Sequence, residues 1–113
     1  MDATIYHNPR CNASRTVLAT LRERGIEPRI VLYLETPPDR PTLQGLLAQL
    51  KLAPRALMRR KEAIYGALGL DSKSDAELVD AMLAHPILIE RPIVVTEKGA
   101  VLCRPAEKVL EML

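Results

Sequence analysis

The sequence predicts a single α/β domain in the order βαβ, then helices, then ββα, spanning residues 1–113. Three observations carry that expectation. A short apolar run, Thr4-Ile5-Tyr6, precedes helical spacing at Val17, Leu18 and Leu21 and then a β-rich run over residues 30–34. From about residue 39 to residue 86 every apolar pattern is helical. Two β-rich runs then return, at residues 92–96 and 100–103, before a last helical segment.

The elements follow in turn. Residues 3–6 form a strand, and a loop through Pro9 leads into a helix over about residues 12–24, ended by Gly25. Ile30-Val31-Leu32-Tyr33-Leu34 shows no polar alternation, as a strand covered on both faces would. Strand, helix and strand together predict a parallel pair with a right-handed crossover. Thr36-Pro37-Pro38 breaks the strand, Asp39 can cap the next helix, and Pro41 fits its first turn. Leu43, Leu46, Leu47 and Leu50 then fall at i, i+3, i+4 and i+7. Residues 54–60 and 62–68 read as short helices, the second ended by Gly69. Ser74 and Glu77 have the capping-box spacing, Leu78, Val79, Met82 and Leu83 make a buried face behind them, and Pro86 stops that helix. Lys98-Gly99 is the expected hairpin turn, and Pro105 opens a last helix with Val109, Leu110 and Leu113 on its buried side. The order matches a thioredoxin-like fold with an all-helical insertion over about residues 39–86. In that fold a cis-proline precedes the third strand, and Pro92 stands there, so a cis Arg91–Pro92 bond is expected.

Composition excludes several function classes. Apolar residues make up 48% of the chain, enough for a packed core rather than disorder. Net charge is only +2, with no Phe or Trp, which disfavours a nucleic-acid binder. No apolar run approaches the roughly 18 residues of a membrane span, and Met1-Asp2-Ala3-Thr4 does not begin a signal peptide. Two cysteines without a leader point to free thiols in a reducing compartment, so a cytoplasmic location is expected. No exposed apolar stripe demands a dimer, and a monomer is expected. Two His and two Cys without paired spacing predict no metal site.

The chemistry concentrates around Cys11, where a strand hands over to a helix. The first N–H groups of a helix lack internal partners and, with the helix dipole, favour negative charge. A thiol near pKa 8.5 can fall to roughly 3.5–7.5 in such a place, helped by cations. His7, Arg10 and Arg15 are candidates for that help. The competing assignment for Cys11 is a small buried hydrophobe, against which its neighbours Arg10, Asn12 and Ser14 argue. Ser14 stands where a Cys-X-X-Cys motif would carry its second thiol, so no internal disulfide of that kind is available. His7 is either a donor to the thiolate or a loop histidine bonded to backbone. Arg91 directly precedes Pro92, Arg104 follows a late strand, and Arg59 lies in the helical insertion one turn beyond Arg55. Guanidinium forks suit tetrahedral oxyanions, but most arginines are solvated surface, and position alone favours Arg91 over Arg59 and Arg104. His85 and Cys103 read as structural, although a resolving role for Cys103 stays open.

The chain resembles the glutaredoxin-coupled arsenate reductases of arsenical resistance. The resemblance rests on Ile5-Tyr6-His7-Asn8-Pro9-Arg10-Cys11, Ser14-Arg15, Leu32-Tyr33-Leu34-Glu35-Thr36-Pro37-Pro38, Arg55-Ala56-Leu57-Met58-Arg59, the stretch from His85 through Glu90-Arg91-Pro92 to Val95, and Leu102-Cys103-Arg104-Pro105. It implies a thioredoxin-like fold, Cys11 as the catalytic thiolate, His7 lowering its pKa, and Arg59, Arg91 and Arg104 binding the oxyanion. Asn8, Ser14, Arg15 and Pro92 would support them. It also implies arsenate as substrate, glutathione as co-substrate, glutaredoxin as partner and no bound cofactor. Arg10 and Asn12 beside Cys11 depart from the family pattern. The chain also ends soon after its last helix begins, with no loss of activity expected, because no matched site residue lies there. Two alternatives are a monothiol reductase of other glutathione mixed disulfides and a disulfide-stress regulator of RNA polymerase. The second usually carries Cys-X-X-Cys, which this chain lacks.

Overall fold

A computed structural model describes residues 1–113. Its elements run β1 (Thr4–Tyr6), α1 (Asn12–Glu23), β2 (Arg29–Val31), α2 (Arg40–Leu50), α3 (Ala63–Ala67), α4 (Asp75–Ala84), β3 (Ile93–Thr96) and β4 (Gly99–Leu102). Short 3₁₀ segments stand at Pro54–Leu57, Leu70–Ser72, Pro86–Leu88 and Ala106–Met112. The chain divides into two compact units, one of residues 1–36 with 91–113, the other of residues 37–90. The mixed α/β order is the thioredoxin-like one read from the sequence.

In the first unit the sheet order is β2-β1-β3-β4, with β1 parallel to β2 and antiparallel to β3. The sheet packs on α1 and the last 3₁₀ segment. Ile5, Val17, Leu21, Val94, Val101, Cys103, Val109 and Met112 form one buried cluster. Burying such aliphatic side chains contributes about 1.5–3 kcal/mol each relative to exposure. The sheet thereby gives the β1–α1 connection a rigid base.

Three local expectations are corrected. The second strand is shorter than residues 30–34 and is not covered on both faces. It sits at the sheet edge, bonded to β1 alone, and Ile30 and Leu34 are 37% and 42% exposed. Its pairing ends where β1 ends, with Tyr6 opposite Val31, and residues 33–35 then turn. The hairpin loop is Glu97-Lys98 rather than Lys98-Gly99, since Gly99 already pairs with Thr96. Gly99 has φ +127, a conformation that side chains disfavour, and so opens β4 from a position glycine alone fits well. The final segment is 3₁₀, not α. Its three-residue period buries Val109 and Met112 and turns Leu110 outward to 46% exposure, where a 3.6-residue period would place Leu110 inside.

In the second unit α4 packs against α2 and the 3₁₀ segments Pro54–Leu57 and Pro86–Leu88. The caps are those the sequence specifies. The Asp39 carboxylate accepts the Thr42 N–H at 2.9 Å, and Ser74 with Glu77 forms a complete capping box. Leu43, Leu46, Leu47, Leu57, Leu78, Met82 and Leu88 are buried there. No helix of the chain is long and apolar enough to cross a membrane.

Candidate active site

The loop between β1 and α1 is braced by its own polar groups. The Cys11 N–H donates to the Asn8 carbonyl at 3.0 Å, and the Arg10 N–H donates to Asn8 Oδ1 at 3.0 Å. Arg15 reaches back from α1, donating to the Pro9 carbonyl at 2.7 Å and to Asn12 Oδ1. Arg15 is therefore tied to the loop it supports. The result fixes Cys11 as the N-cap residue of α1, with extended backbone angles φ −95 and ψ 125. Ser, Thr, Asp or Asn usually fills such a position and offers an oxygen to the second or third helical N–H. Here a sulfur stands in that place and makes no short capping bond.

Ser14 lies wholly buried beneath the loop. Its hydroxyl is 2.6 Å from His7 Nδ1 and accepts the Asn8 N–H at 3.1 Å. One hydroxyl thus joins the end of β1, the loop and the first turn of α1. His7 is also buried, and burial first, then the charges of Arg22 and Arg15, hold its pKa below the ordinary imidazole value. Burial and these charges favour the uncharged ring. The Ser14 hydroxyl links the ring to the loop that carries Cys11.

Cys11 is 8% exposed. Burial alone would push its thiol up. The Ser14 N–H, the Arg91 guanidinium, the Ala13 N–H and the Arg104 guanidinium outweigh burial, and the pKa falls below that of an ordinary thiol. This is the helix-start effect read from the sequence, reinforced by two arginines from distant chain segments. The Arg91–Pro92 bond is cis, as the sequence predicts, and Arg104–Pro105 is cis as well. Arg104 Nη1 donates to the Arg91 carbonyl at 3.3 Å, and the Cys103 N–H donates to the Pro92 carbonyl at 2.9 Å. The start of β3 and the end of β4, paired in the sheet, so deliver both guanidinium groups to one thiol.

The other cysteine behaves in the opposite way. Cys103 is fully buried in the apolar cluster of the first unit. Burial, then Glu111, push its thiol up to about 12, with Lys108 opposing. The two thiols are therefore distinguishable by alkylation. Iodoacetamide should modify Cys11 with a rate that rises through a midpoint below the ordinary thiol range, because only the thiolate reacts. Cys103 should stay unmodified in the native protein throughout. Peptide mapping of protein labelled at pH 6–9 checks both; equal labelling would remove the assigned difference.

Arg59 belongs to the second unit. Its N–H donates to the Leu88 carbonyl at 2.8 Å, beside the bridge of Met58 with Ile89. Its guanidinium lies 3.8 Å from Glu62 and 3.7 Å from Glu90. Glu62 stands at i+3 and is a local partner, whereas Glu90 is 31 positions away from Arg59 and only folding pairs them. Arg55, one turn earlier, donates to Tyr65 Oη, the Leu70 carbonyl and the Lys73 carbonyl, which makes it a structural brace. His85 closes the end of α4, its N–H donating to the Ala81 carbonyl at 2.8 Å.

Beside the Cys11 loop lies an open groove of about 270 Å³, lined by His7, Asn8, Pro9, Arg10, Leu32, Leu34 and Glu35. Sequence reasoning missed Leu32, Leu34 and Glu35 as lining residues. Their apolar run reads as a covered strand, and only the early end of β2 exposes them.

The chain is similar to known proteins over nearly its whole length. The model of the ArsC family matches residues 6–112. An arsenate reductase of Escherichia coli is 54% identical over 114 residues, covering 99% of this chain and 81% of that protein. An arsenate reductase of Rhizobium meliloti is 51% identical over 115 residues, covering 100% of this chain and 82% of that protein. Among solved structures, an arsenate reductase from Vibrio cholerae superposes with a TM-score of 0.96 at 49% identity, covering 100% of this chain and 98% of that one.

Proposed function

The chain belongs to the ArsC family, and on that basis we propose that it reduces arsenate to arsenite at Cys11, with glutathione as co-substrate and glutaredoxin as the protein that resets the thiol. The observation that supports this most is a helix-capping cysteine whose thiol is lowered by two guanidinium groups and two backbone N–H groups. A thiolate can attack arsenic at neutral pH, and the same cations offset the charge of a phosphate-like oxyanion. Arg91 and Arg104 thus serve the nucleophile and its substrate together. Arg59 enters as an oxyanion ligand on the family resemblance.

The Cys11 sulfur displaces one oxygen of arsenate as water and forms an As(V)–S bond. The glutathione sulfur then supplies the second bond partner. As the two sulfurs join, each gives up one electron, arsenic keeps the pair and leaves as arsenite, and Cys11 is left in a mixed disulfide with glutathione. Glutaredoxin exchanges that disulfide and restores the thiolate. A single active thiol suits this scheme, since the other sulfurs come from outside, and Cys103 is too deeply buried to resolve the disulfide. His7, Asn8, Ser14, Arg15 and Pro92 hold the loop and the cation pair in place. The scheme needs no bound cofactor, and its demand for thiols suits a reducing cytoplasm.

The test is arsenite production by the purified chain with glutathione, with and without glutaredoxin. Turnover that requires both is the expected result. Turnover with a thioredoxin system alone, or none with any thiol, overturns the proposal.

A further inference from the structure

The groove beside the Cys11 loop contains two charges of opposite sign that nothing in the chain engages. Arg10 is exposed, and its guanidinium takes part in none of the chain's hydrogen bonds or ion pairs; its only bond is the backbone N–H to Asn8. Glu35 is exposed and has a free carboxylate, its backbone N–H alone being used, to the Leu32 carbonyl at 2.9 Å. Both line the same groove, yet they form no ion pair with each other. Leu32 and Leu34 supply apolar wall in the same groove. A second, shallower groove of about 220 Å³ continues from Leu32 and Glu35 along the open edge of β2 to Arg29.

We propose that this groove seats the glutathione consumed in the reaction, with Arg10 taking a carboxylate of the tripeptide and Glu35 its ammonium group. The proposal rests on the arsenate-reductase function above and adds the place where the second thiol waits. Charge decides the occupant. A lone arginine would also attract the arsenate dianion, but the Glu35 carboxylate in the same groove repels it. A zwitterion with carboxylates at its ends and one ammonium satisfies both groups. Size agrees, because the two grooves share residues and together reach the few hundred Å³ of small-ligand sites, far more than a tetrahedral oxyanion fills. Position agrees as well. Four of the lining residues are the four that lead directly into Cys11, so a thiol held there has a short path to a Cys11-bound arsenic.

Arg10→Ala and Glu35→Gln alter exposed side chains and leave the buried core untouched. Each should raise the glutathione KM about fivefold, the effect of losing one solvent-exposed ion pair, while the arsenate KM stays within twofold. Glutathione lacking its α-amino group should serve the parent chain and the Glu35→Gln variant equally well. An unchanged glutathione KM in an enzyme that still needs glutathione overturns the groove and leaves the function standing. A second readout needs no turnover: S-methylglutathione titrated into ¹⁵N-labelled protein. Shifts at the amides of residues 7, 8, 10 and 32–35, weakened by either variant, support the groove. Shifts confined to Arg91, Arg104 and their neighbours, or no shifts at all, overturn it even if arsenate reduction itself is absent.

Discussion

Cys11→Ser should lower kcat/KM for arsenate by at least about a thousandfold while leaving the fold and thermal unfolding nearly unchanged. The reason is chemical rather than structural. Serine suits a helix N-cap at least as well as cysteine, so the cap gains an ordinary oxygen acceptor. Its hydroxyl stays protonated at neutral pH, however, and an alkoxide cannot join a second sulfur in a disulfide. Both the attack on arsenic and the later electron transfer are lost. Cys103→Ala is the contrast. It removes a buried sulfur from the cluster of Ile5, Val17, Val94 and Val109 and should cost stability, of order 1–2 kcal/mol, with activity retained below the melting point. Steady-state kinetics paired with thermal melts separate the two. Equal loss of activity from both substitutions would require a second catalytic thiol and end the single-thiol scheme.

Arg91→Ala should produce the second large effect, a drop in kcat/KM of roughly a hundredfold or more, because one group serves two tasks. Its charge holds the Cys11 thiol down, second only to the Ser14 N–H among the stabilising contributions. Losing it raises the thiol pKa, so the pH profile of kcat/KM should move toward alkaline values, and activity lost at pH 7 should return in part at higher pH. The portion that does not return measures the oxyanion contact. Arg91→Lys should restore the pH profile more fully than kcat/KM, since a lysine supplies charge without the two-pronged geometry. A variant with an unshifted profile and unchanged kinetics would remove Arg91 from the site.

Much of the site is legible because it is local. The strand-to-helix handover, the cysteine at its junction and Ser14 three residues on are close in sequence, and Arg91 directly precedes Pro92. The cysteine's helix-end chemistry follows from that local spacing, whereas the action of Arg91 on it does not. The caps at Asp39 and Ser74 are legible for the same reason, each being a contact over three residues. Where the period of a short segment depends on its neighbours, local reading fails. An α-helical period puts Leu110 inward, and the 3₁₀ geometry turns it out. The unbroken apolar run puts Ile30 and Leu34 in a covered strand, and the sheet leaves them at its edge.

Residue type, spacing and local backbone preference settle the order of elements and single out Cys11 as the candidate nucleophile, and the resemblance of its motifs points to the family that the comparisons show. Folding alone establishes that burial lowers the His7 pKa and ties the ring to Ser14, that Arg91 and Arg104 act on one sulfur, that burial raises the Cys103 thiol, and that Arg10 and Glu35 share a groove. Each of these is an energy of desolvation or of charge at a distance. Such energies depend on which distant segments the packed sheet brings near, and no run of neighbouring residues encodes that.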